Sequence, residues 1–78
     1  MWDVFDVVVG LHEMGFSRNS LPWPSWDRDI LEVAINRGAV SVIAHTPQGP
    51  EYVWTGRAPV CVDDFVAALA YAAIKWET

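Results

Sequence analysis

Ser25-Trp26-Asp27-Arg28-Asp29-Ile30-Leu31-Glu32-Val33-Ala34-Ile35-Asn36-Arg37-Gly38 sits near the middle of the 78-residue chain, and the elements around it take their places from how it folds. Trp26, Ile30, Val33 and Ala34 recur at helical spacing, with Asp29, Glu32 and Asn36 opposite them. Ser25 or Asp27 stands where an N-cap is wanted, Arg28 and Glu32 are four apart like an ion pair across one helical turn, and Gly38 supplies a stop. The spacing therefore predicts a helix between the Ser25 or Asp27 cap and Gly38.

Upstream, residues 15 to 25 place Pro22 and Pro24 on either side of Trp23. The prolines fix two φ angles and push Leu21 and Trp23 toward extended conformations, so a long loop is expected there. Before it, Asp3, Asp6, Gly10 and Glu13 are spaced three, four and three among apolar residues, which predicts a helix over about 2 to 14 with one narrow acidic stripe. Asp3 and Asp6 fall in its first turn, where the helix dipole favours carboxylates, and Gly15 is placed to end it.

Downstream of Gly38 the period changes to two. Val40, Val42 and Ala44 alternate with Ser41, Ile43 and His45, and Pro47-Gln48-Gly49 reads as a three-residue hairpin loop. Counting outward from that loop pairs His45 with Glu51, Ala44 with Tyr52, Ile43 with Val53 and Val42 with Trp54, and puts Tyr52 on the apolar face with Trp54. Gly56 to Pro59 break the second strand, and Asp63 is placed to cap a last helix reaching about residue 77, with Phe65, Leu69, Ala72, Ala73 and Trp76 as its stripe. The expected fold is α+β: a small single layer in the order α-loop-α-β-β-α, with a two-stranded antiparallel hairpin packed against three helices as one domain over 1–78.

Met14-Gly15-Phe16-Ser17 after an amphipathic helix resembles the end of the first helix in ubiquitin-associated domains. The resemblance covers about ten residues and implies a Met-Gly-Phe loop that docks on ubiquitin. That family continues directly into a second helix, which Pro22 and Pro24 forbid, and its three-helix bundle has no hairpin.

Composition narrows the function. Hydrophobic residues at 53% against 19% charged describe a folded chain, and no apolar run approaches the roughly 18 residues of a spanning helix. No basic start precedes an apolar signal stretch, so a cytoplasmic, unprocessed protein is expected, with no membrane partner. Ten acidic residues against five basic give a net charge of −5, and the basic residues at 18, 28, 37, 57 and 75 do not cluster on one element, so no direct nucleic-acid ligand is expected. Cys61 is the only cysteine, which excludes an internal disulfide and a cysteine cage for zinc, and it reads as a buried small apolar residue.

Few residues invite chemistry. His12-Glu13 begins like a zinc-protease helix, but that motif needs a histidine where Phe16 stands. No metal is expected on His12, His45, Cys61 or Glu51, no cofactor is implied, and the glycines stand singly at 10, 15, 38, 49 and 56 rather than in a phosphate-binding motif. His45 opposite Glu51, with Ser41 on the same strand face, is the arrangement a small enzyme or ligand-binding domain would use; a cross-strand ion pair of about 0.2 to 1 kcal/mol is the plainer account. No catalytic residue is assigned.

Five tryptophans are many for so small a core. Trp26, Trp54 and Trp76 follow the core periodicity, whereas Trp2 and Trp23 do not. Trp23, rigid between two prolines, reads as either a lid over the core or the aromatic anchor of a binding surface. The expected function is a small acidic non-enzymatic interaction protein that binds and inhibits a larger protein by occupying its basic surface. Asp3, Asp6 and Glu13 on the first helix and Asp64 on the last would steer it, and Trp23 would supply affinity. In size and charge the chain is similar to the small acidic proteins that bacterial viruses make against host nucleic-acid-binding defence complexes, the anti-CRISPR proteins among them, which implies a phage anti-defence inhibitor. An antitoxin-like neutraliser or regulatory subunit has the same physics. Apolar surface on the first helix, which has only one polar stripe, or on the last helix also predicts a homodimer.

Overall fold

Two strands replace the helix expected between Ser25 and Gly38. The computed structural model describes residues 1–19 and 24–77, with the order α1 (Val4–Glu13), β1 (Ser17–Asn19), β2 (Ser25–Arg28), β3 (Leu31–Asn36), β4 (Ala39–Thr46), β5 (Gly49–Arg57) and α2 (Val62–Trp76). The five strands form one antiparallel sheet in chain order, β1-β2-β3-β4-β5. The α+β character stands, but the α-loop-α-β-β-α order and the two-stranded hairpin are corrected to helix, five-stranded meander, helix.

The local reasons are visible in the chain. Leu31, Val33 and Ile35 alternate with Glu32, Ala34 and Asn36, and the first three are buried in the core. Arg37 and Gly38 both have positive φ, 51° and 82°, which is the two-residue hairpin turn whose twist matches its strands. Gly38 therefore closes a hairpin rather than stopping a helix. Asp29, with φ 53°, turns β2 into β3, and Arg28 is occupied elsewhere, so the expected Arg28–Glu32 pair does not form.

The β4–β5 hairpin exists, in a different register. Thr46 pairs with Gly49 across a two-residue turn, His45 with Pro50, Ala44 with Glu51 and Ile43 with Tyr52. A bulge between Val42 and Ile43 then absorbs Val53, so that Val42 still meets Trp54 as expected. Trp54 keeps its place on the helix side of the sheet, while Tyr52, expected beside it, lies on the opposite face.

Both helices cover one face. Asp3 and Asp6 form a reciprocal capping box at the start of α1: the Asp6 N–H donates to Asp3 Oδ1 at 2.9 Å and the Asp3 N–H to Asp6 Oδ2 at 3.3 Å. Trp2 and Val60 exchange two backbone hydrogen bonds, of 2.9 and 2.8 Å, which ties the start of α1 to the segment that enters α2. Behind that bridge Phe65 of α2 is fully buried between the rings of Trp2, 6.2 Å away, and Trp54, 5.9 Å away. At the other end Arg28 donates to the Met14 carbonyl at 3.0 Å, lies 4.8 Å from the Phe16 ring and 3.8 Å from Glu77, so one side chain touches residues just past the C-terminal ends of both α1 and α2. The two helices thus run in the same general direction. No helix among the described residues is long and apolar enough to cross a membrane.

The Trp2 ring lies against bare backbone: a Cβ at Gly10 would sit 2.8 Å from it. Alanine is favoured over glycine in a helix by about 1 kcal/mol, but overpacking a fitted contact costs about 1 to 3 kcal/mol. Gly10→Ala is therefore expected to lower stability in chemical denaturation, and to become neutral or stabilising in a Trp2→Leu background. Equal effects in both backgrounds would show that the ring does not set the constraint.

Candidate functional site

Four carboxylates gather at one end of the molecule. Asp6 lies in the first turn of α1 beside its cap Asp3, Asp63 and Asp64 lie in the first turn of α2, and the Trp2–Val60 bridge holds these two helix starts together. All four are exposed. No Lys or Arg among the described residues is within ion-pair distance of any of them. Of the residues expected to bind a partner, Asp3, Asp6 and Asp64 are brought to this pole. Glu13, ten residues after Asp3, is about 15 Å further along α1 and belongs to the other end. Trp23 lies outside the described residues, so the choice between lid and anchor is not addressed by this fold.

None of the basic residues makes an ion pair with the pole, although Arg37 and Arg57 lie at the same end of the sheet, where the Ala58 N–H donates to the Gly38 carbonyl and Val60 bridges Trp2. Arg28 and Lys75 sit by the ends of the helices, Arg18 lies 5.2 Å from the Trp26 ring at the β1–β2 edge, and Arg57 donates to the Arg37 carbonyl at 2.9 Å beside the β3–β4 turn. Arg37 and Arg57 are thus neighbours in space, which their separation in the chain concealed.

The helix-free face of the sheet carries the second notable arrangement. Glu32 is only 7% exposed, and both its oxygens are taken: fully buried Ser25 donates to Oε2 at 2.8 Å, and His45 Nε2 lies 2.6 Å from Oε1. In the observed register Glu32 faces Ile43, which makes His45, two residues on, its diagonal neighbour on the same face. Beside this network an open groove of about 530 Å³ runs over Ala34, Ser41 and Ile43 between Asn36 and Tyr52. A depression of about 350 Å³, with Asp27 and Asp29 on its rim, meets the groove at Glu32 and His45. Asp27 is held by the Asn19 amide.

This arrangement corrects the expected His45–Glu51 pair. Glu51 faces Ala44 on the helix side of the sheet, and the carboxylate beside His45 is Glu32. A reaction centre is poorly served by it. Ser25 gives its hydrogen to Glu32 rather than to the imidazole, and Ser41 is four strand residues from His45, about 13 Å, and is hydrogen-bonded to Thr55. No group of three or more His, Cys, Asp or Glu among the described residues is placed to hold a metal ion.

Two further expectations change. Cys61 is exposed at the cap position of α2 rather than buried. The Met14-Gly15-Phe16 segment does end a helix, with Gly15 at φ 88°, but Phe16 is buried under Arg28 and the chain continues into β1, so the described residues form a sheet where the resemblance implies a three-helix bundle, and Phe16 is not displayed on the surface. The helix 1 surface remains partly apolar: Phe5 is 72% exposed, and Val9 one turn later is also exposed.

Leaving Glu32 without its buried donor should cost about 1 to 3 kcal/mol, whereas removing both partners costs much less. In urea denaturation Ser25→Ala is expected to fall in that range, and Ser25→Ala with Glu32→Val to recover most of the loss. A double variant as unstable as the sum of its singles would mean that the two side chains act independently. No protein-family model, curated protein or solved structure matches the chain, so the meaning of both arrangements rests on their geometry.

Proposed function

We propose that the protein is a non-enzymatic interaction protein that docks on a basic surface of a larger protein and inhibits it by occupancy. The acidic pole carries this reading: four exposed carboxylates on two joined helix starts, with no Lys or Arg among the described residues within ion-pair distance of them. Its charge steers encounter with a positive surface. A nucleic-acid-binding partner fits this chemistry, since the pole presents anions where a phosphate backbone would, and a phage anti-defence inhibitor is the specific form proposed. An antitoxin-like neutraliser or regulatory subunit would use the same contact. A cytoplasmic setting is proposed with it, because an exposed lone thiol suits a reducing compartment.

The open groove supports a second reading, a small ligand-binding domain. It ranks second because Glu32, the buried charge beside it, already has both oxygens satisfied within the protein.

Replacing Asp3, Asp6, Asp63 and Asp64 together by asparagine removes the charge but keeps capping groups, since asparagine caps helices as well as aspartate does. Affinity capture from the native host followed by association kinetics should show that this variant retains the fold and binds the captured partner at least about tenfold more slowly, with a flatter salt dependence. Equal capture and equal rates would sink the proposal. The homodimer is proposed through Phe5 and Val9; sedimentation equilibrium at micromolar concentration should give a dimer mass that Phe5→Ser reduces, and a strictly monomeric mass would remove it.

A further inference from the structure

The sheet ends in β5, whose outer edge pairs with no strand among the described residues. The His45 N–H goes to the Ile30 carbonyl at 2.8 Å, away from β5. Its partner Pro50 therefore belongs to a pair without mutual hydrogen bonds, and the residue with no N–H is the one whose main chain faces outward. The antiparallel alternation gives Tyr52 the same direction and, past the bulge, Thr55 and Arg57. Pro50 and Glu51 blunt the start of this edge, as natural edges are commonly protected, but from Tyr52 to Arg57 no proline stands in the strand.

Beside that stretch lies a furrow of about 300 Å³ between β5 and α2, lined by Val53, Trp54, Asp64, Ala67, Ala68 and Tyr71. Ala67 and Ala68 keep its α2 wall low, Trp54 and Tyr71 give it apolar sides, and Asp64 opens it toward the acidic pole. An unpaired strand edge running beside such a furrow supplies what an added strand needs: main-chain pairing for affinity and a pocket for alternate side chains.

We propose that this edge and furrow take an extended segment of the partner protein as a sixth strand, with one of its apolar side chains over Ala67 and Ala68 and a Lys or Arg side chain at Asp64. The basic residue follows from Asp64 and from the net charge of −5; in this the inference rests on the proposed function, whereas the strand addition rests on the edge. A second copy is the poorer occupant, because it brings another charge of −5 and the same Pro50 and bulge.

The probe is a capped heptapeptide with arginine at both ends and valine alternating with threonine between them, titrated into the isotope-labelled protein. Amide shifts and slowed exchange are expected at Tyr52, Thr55 and Arg57, with side-chain shifts at Ala67 and Tyr71. N-methylating an inward-facing amide of the peptide should weaken binding about tenfold, on the order of one lost hydrogen bond. Thr55→Pro should do the same while folding normally, since its N–H bonds nothing within the sheet; if that variant does not fold, the N-methylated peptide decides alone. Equal binding of the methylated peptide, no binding of the unmodified one, or shifts confined to Asp3, Asp6, Asp63 and Asp64 would overturn the added strand, and the last result would leave the acidic-pole reading standing. A peptide with aspartate at both ends that binds as well, and is still sensitive to methylation, would overturn the basic residue and with it the link to the pole. A dimer without peptide that protects the same β5 amides would overturn the partner segment and give the edge to a second copy.

Discussion

Phe65, fully buried between Trp2 and Trp54, is the contact on which the arrangement of layers depends. Trp2 precedes α1, Trp54 lies in β5 and Phe65 near the start of α2, so three rings join the first helix, the last strand and the last helix. Each edge-on or tilted ring pair contributes about 0.5 to 1.5 kcal/mol beyond its buried area. Each tryptophan also needs a glycine to lie against: a Cβ would come within 2.8 Å of the Trp2 ring at Gly10 and within 2.6 Å of the Trp54 ring at Gly56. With the Trp2–Val60 bridge beside it, this cluster fixes both helices on one face and leaves the other face of the sheet uncovered.

How much of this the sequence discloses differs by element. The helix at Val4–Glu13 and the helix at Val62–Trp76 are legible, because each puts its apolar residues at a spacing no strand would share and each has acidic residues in its first turn. The segment Ser25–Asn36 misleads because Trp26, Ile30, Val33 and Ala34 satisfy a helical period by coincidence, while the alternation from Leu31 to Ile35 satisfies a strand. Ile30, Val33 and Ile35, all β-branched, and the turn at Arg37-Gly38 are the signals that favour strands. Ser17–Asn19 is three residues long and has no periodicity to read; it is a strand only because β2 pairs with it.

The sites follow the same division. Asp3 and Asp6 come to the same end of the molecule as Asp64 only through the one-residue pairing of Trp2 with Val60, and a bridge of that kind leaves no pattern in a chain. Glu32 and His45 meet because β3 and β4 are a hairpin, so the helical reading of Ser25–Asn36 hid the pair by turning Glu32 into a partner for Arg28. The acidic pole also answers a cost of the fold. Two helix starts held together bring two partial positive charges of about 0.5 each side by side, and four carboxylates there exceed that by about three negative charges. Arg37 and Arg57, at the same end of the sheet but outside ion-pair distance, offset part of that excess, and the remainder is what an outside cation would meet.

The extra residue at Val53 divides β5 into two sections that are out of phase. From Trp54 onward the strand is locked to the core by the ring that Phe65 covers, whereas from Gly49 to Tyr52 the side chains take their faces from the hairpin turn. A bulge placed there acts as a coupling that slips: a residue gained or lost at the Pro47-Gln48 tip can be absorbed at Val53 without rotating Trp54 out of the interior. The tip, with His45 and Pro50 at the mouth of the open groove, is thus free to vary in length and chemistry while the layers beneath it stay the same, which makes it the place where this fold would accommodate new surface at least expense to its core.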